Sequence, residues 1–177
     1  MSTPADTLVT KYPDRISQLN GPVLTYLKKM SAGLPFNGRE QDLYMSVFYP
    51  AYRRVSPDKE FPSEVRDQNP NISTPRDYID FVNGHKNTAN LTPQEWTALK
   101  NVASSVNVPY DSLYRLINFE SGWDPKATNP ISGARGLVQF MPSTAKWMGF
   151  AAGAGSLLLI VALAGVAFYF ARKYGYI

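Results

Sequence analysis

Glu120-Ser121-Gly122-Trp123-Asp124-Pro125, succeeded by Ser132-Gly133-Ala134-Arg135-Gly136-Leu137-Val138-Gln139-Phe140-Met141-Pro142-Ser143-Thr144-Ala145, is the part of this 177-residue chain whose reading decides the fold. Just before it, Leu113, Leu116, Ile117 and Glu120 fall at i, i+3, i+4 and i+7. A helix from Asp111 to Ser121 therefore carries Glu120 on its core-facing side, and Gly122 stops it. A carboxyl in that position is either paired or desolvated. Desolvation raises its pKa, keeping the acid protonated near neutrality and able to donate to a leaving group. The bland alternative is a Glu that swings to solvent at a frayed last turn. Asp124 is the only other acid close in sequence, and its place between Gly122 and Pro125 suits a turn, so a scheme that needs two carboxylates is not supported.

Composition narrows the chemistry further. The chain has no cysteine and one histidine, His85. That excludes a disulfide framework, a thiolate zinc site, an iron–sulfur cluster, a cysteine nucleophile and a histidine-based metal site. The net charge is +4, of which Arg172 and Lys173 supply half. The remaining +2 up to Lys146 is no case for nucleic-acid binding, which needs a concentrated basic face.

The two motifs together resemble the soluble-lytic-transglycosylase family with its goose-type lysozyme-like relatives. That family has an E-S pair closing one helix, then G-x-x-G-L-x-Q-x-M-P-x-T-A at short spacing. The resemblance implies a mainly α, lysozyme-like domain that cleaves peptidoglycan with a single catalytic acid at Glu120 and no cofactor or metal. Ser121 would sit beside the sugar at the cleavage site, and Gly136, Gln139 and Met141 would shape the groove wall. The residue chemistry agrees. The glycines permit close backbone approach to a glycan, Gln139 offers a donor and an acceptor to an N-acetyl group, and Phe140 and Trp123 offer apolar faces, Trp123 being equally suited to the core. The implied reaction is proton donation by Glu120 to the glycosidic oxygen, assistance by the substrate's N-acetyl group, and return of the 6-hydroxyl proton to Glu120. A 1,6-anhydro-muramyl end results.

In the family the chain continues after the second motif into further helices, with an aromatic segment of the type A-Y-N-A-G that completes the groove. Residues 92–149 are too few to hold an independent core comfortably, so the missing part is expected in residues 1–83 or from another protein. Three helix starts share one signature there and beyond: Thr3-Pro4-Ala5-Asp6, Thr74-Pro75-Arg76-Asp77 and Thr92-Pro93-Gln94-Glu95. Thr caps, Pro suits the first helical position, and the acid faces the positive end of the dipole, with only the last a full capping box. Asn20-Gly21-Pro22 breaks the first region, Asp42 to Phe48 reads as helix, and 53–72 reads as loop. The upstream half resembles the helices that lie after the second motif in phage-encoded relatives. The domain then reads as circularly permuted, with residues 84–91 as a linker joining the ancestral ends and reaching at most about 28 Å. Val47-Phe48-Tyr49-Pro50-Ala51 would stand in for the aromatic segment; because Phe48 lacks a hydroxyl, Tyr44 or Tyr49 would have to supply one to the site. The competing reading makes residues 1–83 an unrelated helical module.

Residues 150–171 carry no charge and read as one transmembrane helix, with 172–177 a basic, aromatic tail. Met-Ser-Thr-Pro-Ala-Asp at the N-terminus has no signal-peptide character. These features predict a single-pass protein with a C-terminal anchor in the virion membrane of a phage. Its partners would be a peptidoglycan strand, the lipid bilayer and other virion or membrane proteins, with no nucleic acid. The function expected is cell-wall penetration or lysis by a lytic transglycosylase. The alternative is a structural virion membrane protein that keeps an inactive or glycan-binding domain, and a hydrolytic lysozyme would differ only in its product.

Overall fold

The helices begin where the sequence supplies caps. The structure, a computed structural model, describes residues 2–85 and 88–151. Helices α1 (Pro4–Lys11), α6 (Pro75–Gly84) and α7 (Pro93–Ser105) start after Thr3, Thr74 and Thr92, each of which accepts from the amide three residues on. All three are full capping boxes, not only the last. Asp6 and Asp77 reach back to the cap amides at 2.7 and 2.8 Å, as Glu95 does at 2.7 Å. The shorter Asp side chain suffices because Pro at the first helical position fixes the turn tightly.

The first region is not broken at Asn20-Gly21-Pro22. Helix α2 (Arg15–Gln18) passes through a π-helical turn, Leu19–Val23, directly into α3 (Leu24–Gly33). The wider register of the π turn accommodates Pro22, which has no amide to donate. Gly21 is required there, since a Cβ would collide with the ring of Tyr12. Helix α4 (Glu40–Phe48) agrees with the expected helix, whereas the expected loop over 53–72 contains a short helix, α5 (Ser63–Gln68).

Helix α8 (Tyr110–Ser121) packs against α4, α6 and α7, and α9 (Pro142–Trp147) lies on α1. Between them, residues 122–141 form an irregular loop tied by isolated bridges of Arg135 to Thr128 and Phe140. One hydrophobic core takes Leu8, Leu19, Val23, Leu43, Tyr78 and Val82 from the first half and Leu99, Val102, Leu116, Ile117 and Leu137 from the second. The fold is mainly helical, and the two halves of the chain share one interior. Residues 88–91 of the expected linker lie in irregular backbone, pinned by the Tyr114 hydroxyl, which donates to the Ala89 carbonyl at 2.8 Å.

The membrane expectation is corrected. Among the described residues no helix is long and apolar enough to cross a membrane. That overturns a transmembrane helix as an element of this fold, and with it the single-pass anchor and the virion-membrane location inferred from it. The first residue of the expected 150–171 span folds back on the domain: the Phe150 amide donates to the Ala145 carbonyl at 3.0 Å, and its ring meets that of Tyr12 edge-on at 6.1 Å. Residues 152–171 of that span, and the tail at 172–177, lie outside the described residues.

Candidate active site

Glu120 closes the last turn of α8, where Gly122 takes a left-handed conformation, φ 60°, and ends the helix. Its side chain points inward and is only 1 % exposed. One oxygen, Oε1, accepts a hydrogen bond from the Tyr78 hydroxyl at 2.7 Å. The other, Oε2, is buried with no hydrogen-bond partner among the described residues. Burial pushes the pKa of Glu120 up to about 8, against the opposing pull of the Tyr78 hydrogen bond. At neutral pH this carboxyl is protonated, and Oε2 is the oxygen available to carry the proton.

Tyr78 is the hydrogen-bond partner of Glu120 that spacing alone did not single out. It sits one turn into α6 and is held by Phe48, stacked at 4.3 Å between ring centroids, and by Phe119, edge-on at 5.7 Å. The signal for it was the Thr74 cap, which fixes where α6 starts and therefore puts Tyr78 and Val82 on its buried face. A Tyr78→Phe variant removes the one interaction favouring the carboxylate. It is expected to move the titration of Glu120 upward from 8, as read from its side-chain carboxyl carbon by NMR; an unchanged midpoint would disprove the coupling.

The two tyrosines expected to serve Glu120 lie elsewhere. The Tyr44 hydroxyl donates to Glu40 Oε1 or Asn83 Oδ1, both at 3.0 Å. It belongs to a polar cluster in which Arg115 bonds Glu40 at 2.9 Å and Asp111 at 3.0 Å, and Ser112 donates to Glu40 at 3.0 Å. Burial would raise the pKa of Glu40, but these hydrogen bonds outweigh it and hold the carboxyl below its usual range. The cluster fastens α4 and α6 to α8 and so fixes Tyr78 relative to Glu120. Tyr49 packs among Tyr52 and Phe61, at 5.2 and 5.8 Å. Helical rotation explains both cases: Tyr44 lies one turn before Phe48 on α4, with its hydroxyl beyond the core, and Tyr49 falls past the helix end.

The second motif forms a pit rather than an open wall. Gln139, Phe140 and Met141 line a cavity of about 30 Å³ with Tyr26, Val47, Val138 and Thr144. Gln139 adopts φ 49° and donates from Nε2 to the Gly136 carbonyl at 2.9 Å, leaving Oε1 buried and without a donor among the described residues. Phe140 meets Tyr26 edge-on at 5.6 Å and is buried, as is Trp123, so both are core residues and neither is a free apolar platform. The Ser121 hydroxyl donates back to the Ile117 carbonyl at 3.0 Å. Gly136 does not face the pit. Its φ is 78°, and a Cβ there would lie 2.6 Å from the Gln18 side-chain oxygen. Asp124 makes the expected turn, accepting from the Lys126 amide at 2.8 Å.

Residues 98–158 match the family described as Transglycosylase SLT domain. Among curated proteins, the chain is similar to the probable transglycosylase SceD of Staphylococcus aureus, strains bovine RF122 / ET3-1 and MRSA252. Each is 36 % identical over 104 residues, covering 56 % of this chain and 43 % of the relative. The chain thus spans less than half the length of the curated relatives it matches. No solved structure gives a significant match.

Proposed function

We propose that this chain is a peptidoglycan lytic transglycosylase in which Glu120 is the single acid and base. The observation that carries the reading is a buried carboxyl at the end of α8, its pKa raised by that burial, inside the segment that matches the transglycosylase domain family. Oε2 donates its proton to the glycosidic oxygen as the bond to the muramyl anomeric carbon breaks. The acetamido oxygen of the same sugar bonds to that carbon. The sugar's 6-hydroxyl oxygen then displaces it, giving its proton to the Glu120 carboxylate. No water is consumed, and the product is a 1,6-anhydro end. Tyr78 serves the second half of this cycle, because its hydrogen bond stabilises the carboxylate that has lost its proton.

At about 30 Å³ the pit is smaller than an N-acetyl group, but its lining has the chemistry of a subsite for one. Its walls of Val47, Val138 and Phe140 suit a methyl, and the unpartnered Gln139 Oε1 suits the acetamido N–H. Circular permutation is part of this proposal. It is supported by the packing of α4 and α6 on α8 and by Val47, from the segment expected to replace the aromatic motif, lining the pit.

The 1 % exposure of Glu120 favours a second reading, a domain that binds glycan without turnover. Digestion of purified peptidoglycan with mass analysis of the products separates the possibilities. Products lighter by one water than the hydrolytic fragments and resistant to borohydride reduction are expected. Reducible ends would mean a hydrolase, and no soluble product would mean a binding domain.

A further inference from the structure

Trp147, the last residue of α9, is 54 % exposed, unlike the buried Trp123. It is not loosely placed. Its ring meets that of Tyr26 edge-on at 6.3 Å, and the Tyr26 hydroxyl is anchored by donating to the Ser46 carbonyl. Tyr26 and Thr144, one turn before Trp147, both line the pit beside Gln139. The indole therefore stands at the rim of the pit on a fixed support. A large aromatic ring held this way is a stacking surface whose ordering cost has already been met.

Lys29, exposed on α3, places its ammonium 5.0 Å over the Trp147 ring. It forms no ion pair with a carboxylate among the described residues. A cation held over an exposed ring gains only about 0.5–1 kcal/mol, so it can leave for a stronger anionic partner at little cost. The flexible four-carbon stem gives it the reach to do so.

We propose that Trp147 and Lys29 form a subsite for an anionic sugar at the rim of the pit. A hexosamine ring stacks on the indole, and the ammonium pairs with the free lactyl carboxylate of a muramyl unit that carries no stem peptide, a charge that neutral N-acetylglucosamine lacks. The subsite deepens the glycan reading above and rests on it. It selects muramyl glycan stripped of its stem peptide, whose lactyl carboxylate is free, over strands in which that carboxyl is amide-linked to peptide and over chitin-like chains, which carry acetamido groups but no carboxylate.

The test is calorimetric titration of the full chain carrying Glu120→Gln, so that sugars stay uncleaved. The probes are the peptide-free tetrasaccharide of alternating N-acetylglucosamine and N-acetylmuramic acid, and chitotetraose. The muramyl sugar is expected to bind about 10-fold tighter at low salt, with the preference shrinking as salt rises. Adding Lys29→Met should bring the two affinities within about 2-fold by weakening the muramyl sugar alone. Trp147→Leu should weaken both by roughly 10-fold, and Trp147→Phe should restore most of that loss. An affinity ratio indifferent to Lys29→Met, unchanged binding in Trp147→Leu, or no binding of either sugar by the parent overturns the proposal. Wall digestion by the unmutated chain separates the two ideas. Cleavage with an unresponsive ratio sinks the subsite alone, and a responsive ratio without cleavage sinks the catalytic reading alone.

Discussion

Glu120→Gln should abolish glycan cleavage and, at the same time, make the protein more stable. The amide keeps the size of the carboxyl but has no acidic proton to transfer, so a loss of about 10²–10⁴-fold in released product is expected. The stability gain arises from linkage. The unfolded chain's Glu120 titrates near 4.5, and the folded one near 8. Between those values the native state holds a proton that the unfolded state has released. Stability therefore falls as pH rises through that window, by about 1.4 kcal/mol per unit, and levels off above it. Below pH 4.5 both states are protonated and the group contributes nothing. At pH 7 the variant escapes a penalty of about 3 kcal/mol, equivalent to roughly 6–12 °C in melting temperature for a chain of this size. Thermal melts of both proteins from pH 4 to 9 check this. The curves should diverge as pH rises; parallel curves would show that Glu120 is not held protonated, and a variant that still releases product would remove it from catalysis.

That opposition between stability and reactivity explains why the site was half legible in the sequence. Helical periodicity put Glu120 on the core face of α8, and the mark of Gly122 as a stop was local. Both survive folding because they depend on residues within one turn. The caps at Thr3, Thr74 and Thr92 were legible for the same reason. Tyr78, Gln18 and Tyr26 were not, because each acts on a residue far away in sequence: Tyr78 on Glu120, Gln18 on Leu137, Tyr26 on Phe140 and Trp147. Pro22 misled because its power to end an α-helix does not extend to a π turn, and turn type depends on what packs around it. The expected membrane span was read from hydropathy together with flanking aromatic and basic residues, none of which reports that at its start Phe150 packs on Tyr12 and donates its amide to the Ala145 carbonyl.

Gln18→Leu is expected to cost about 3–5 kcal/mol, a large destabilisation for a single polar substitution. Gln18 is completely buried and knits the two halves together. Its Nε2 donates to the Tyr12 carbonyl at 2.9 Å and the Pro125 carbonyl at 2.6 Å, and its Oε1 accepts from the Leu137 amide at 2.9 Å. Leucine fills the space but leaves that amide and two carbonyls unsatisfied, each worth about 1–3 kcal/mol in a dry interior. Leu137 and Val138 carry the backbone into the pit, so the same variant should lose activity more steeply than its melting temperature alone accounts for. Gly136 supplies the cross-check. Gly136→Ala alone should be severe, since the new Cβ would meet Gln18 Oε1 at 2.6 Å and the backbone sits at φ 78°. The clash belongs to Gln18, whereas the backbone strain belongs to residue 136 itself. In a Gln18→Ala background Gly136→Ala should therefore cost less by about 1 kcal/mol or more, without becoming neutral. Urea melts of the two single variants and the double variant measure that coupling, and strictly additive costs would show that Gln18 does not set the backbone of the second motif.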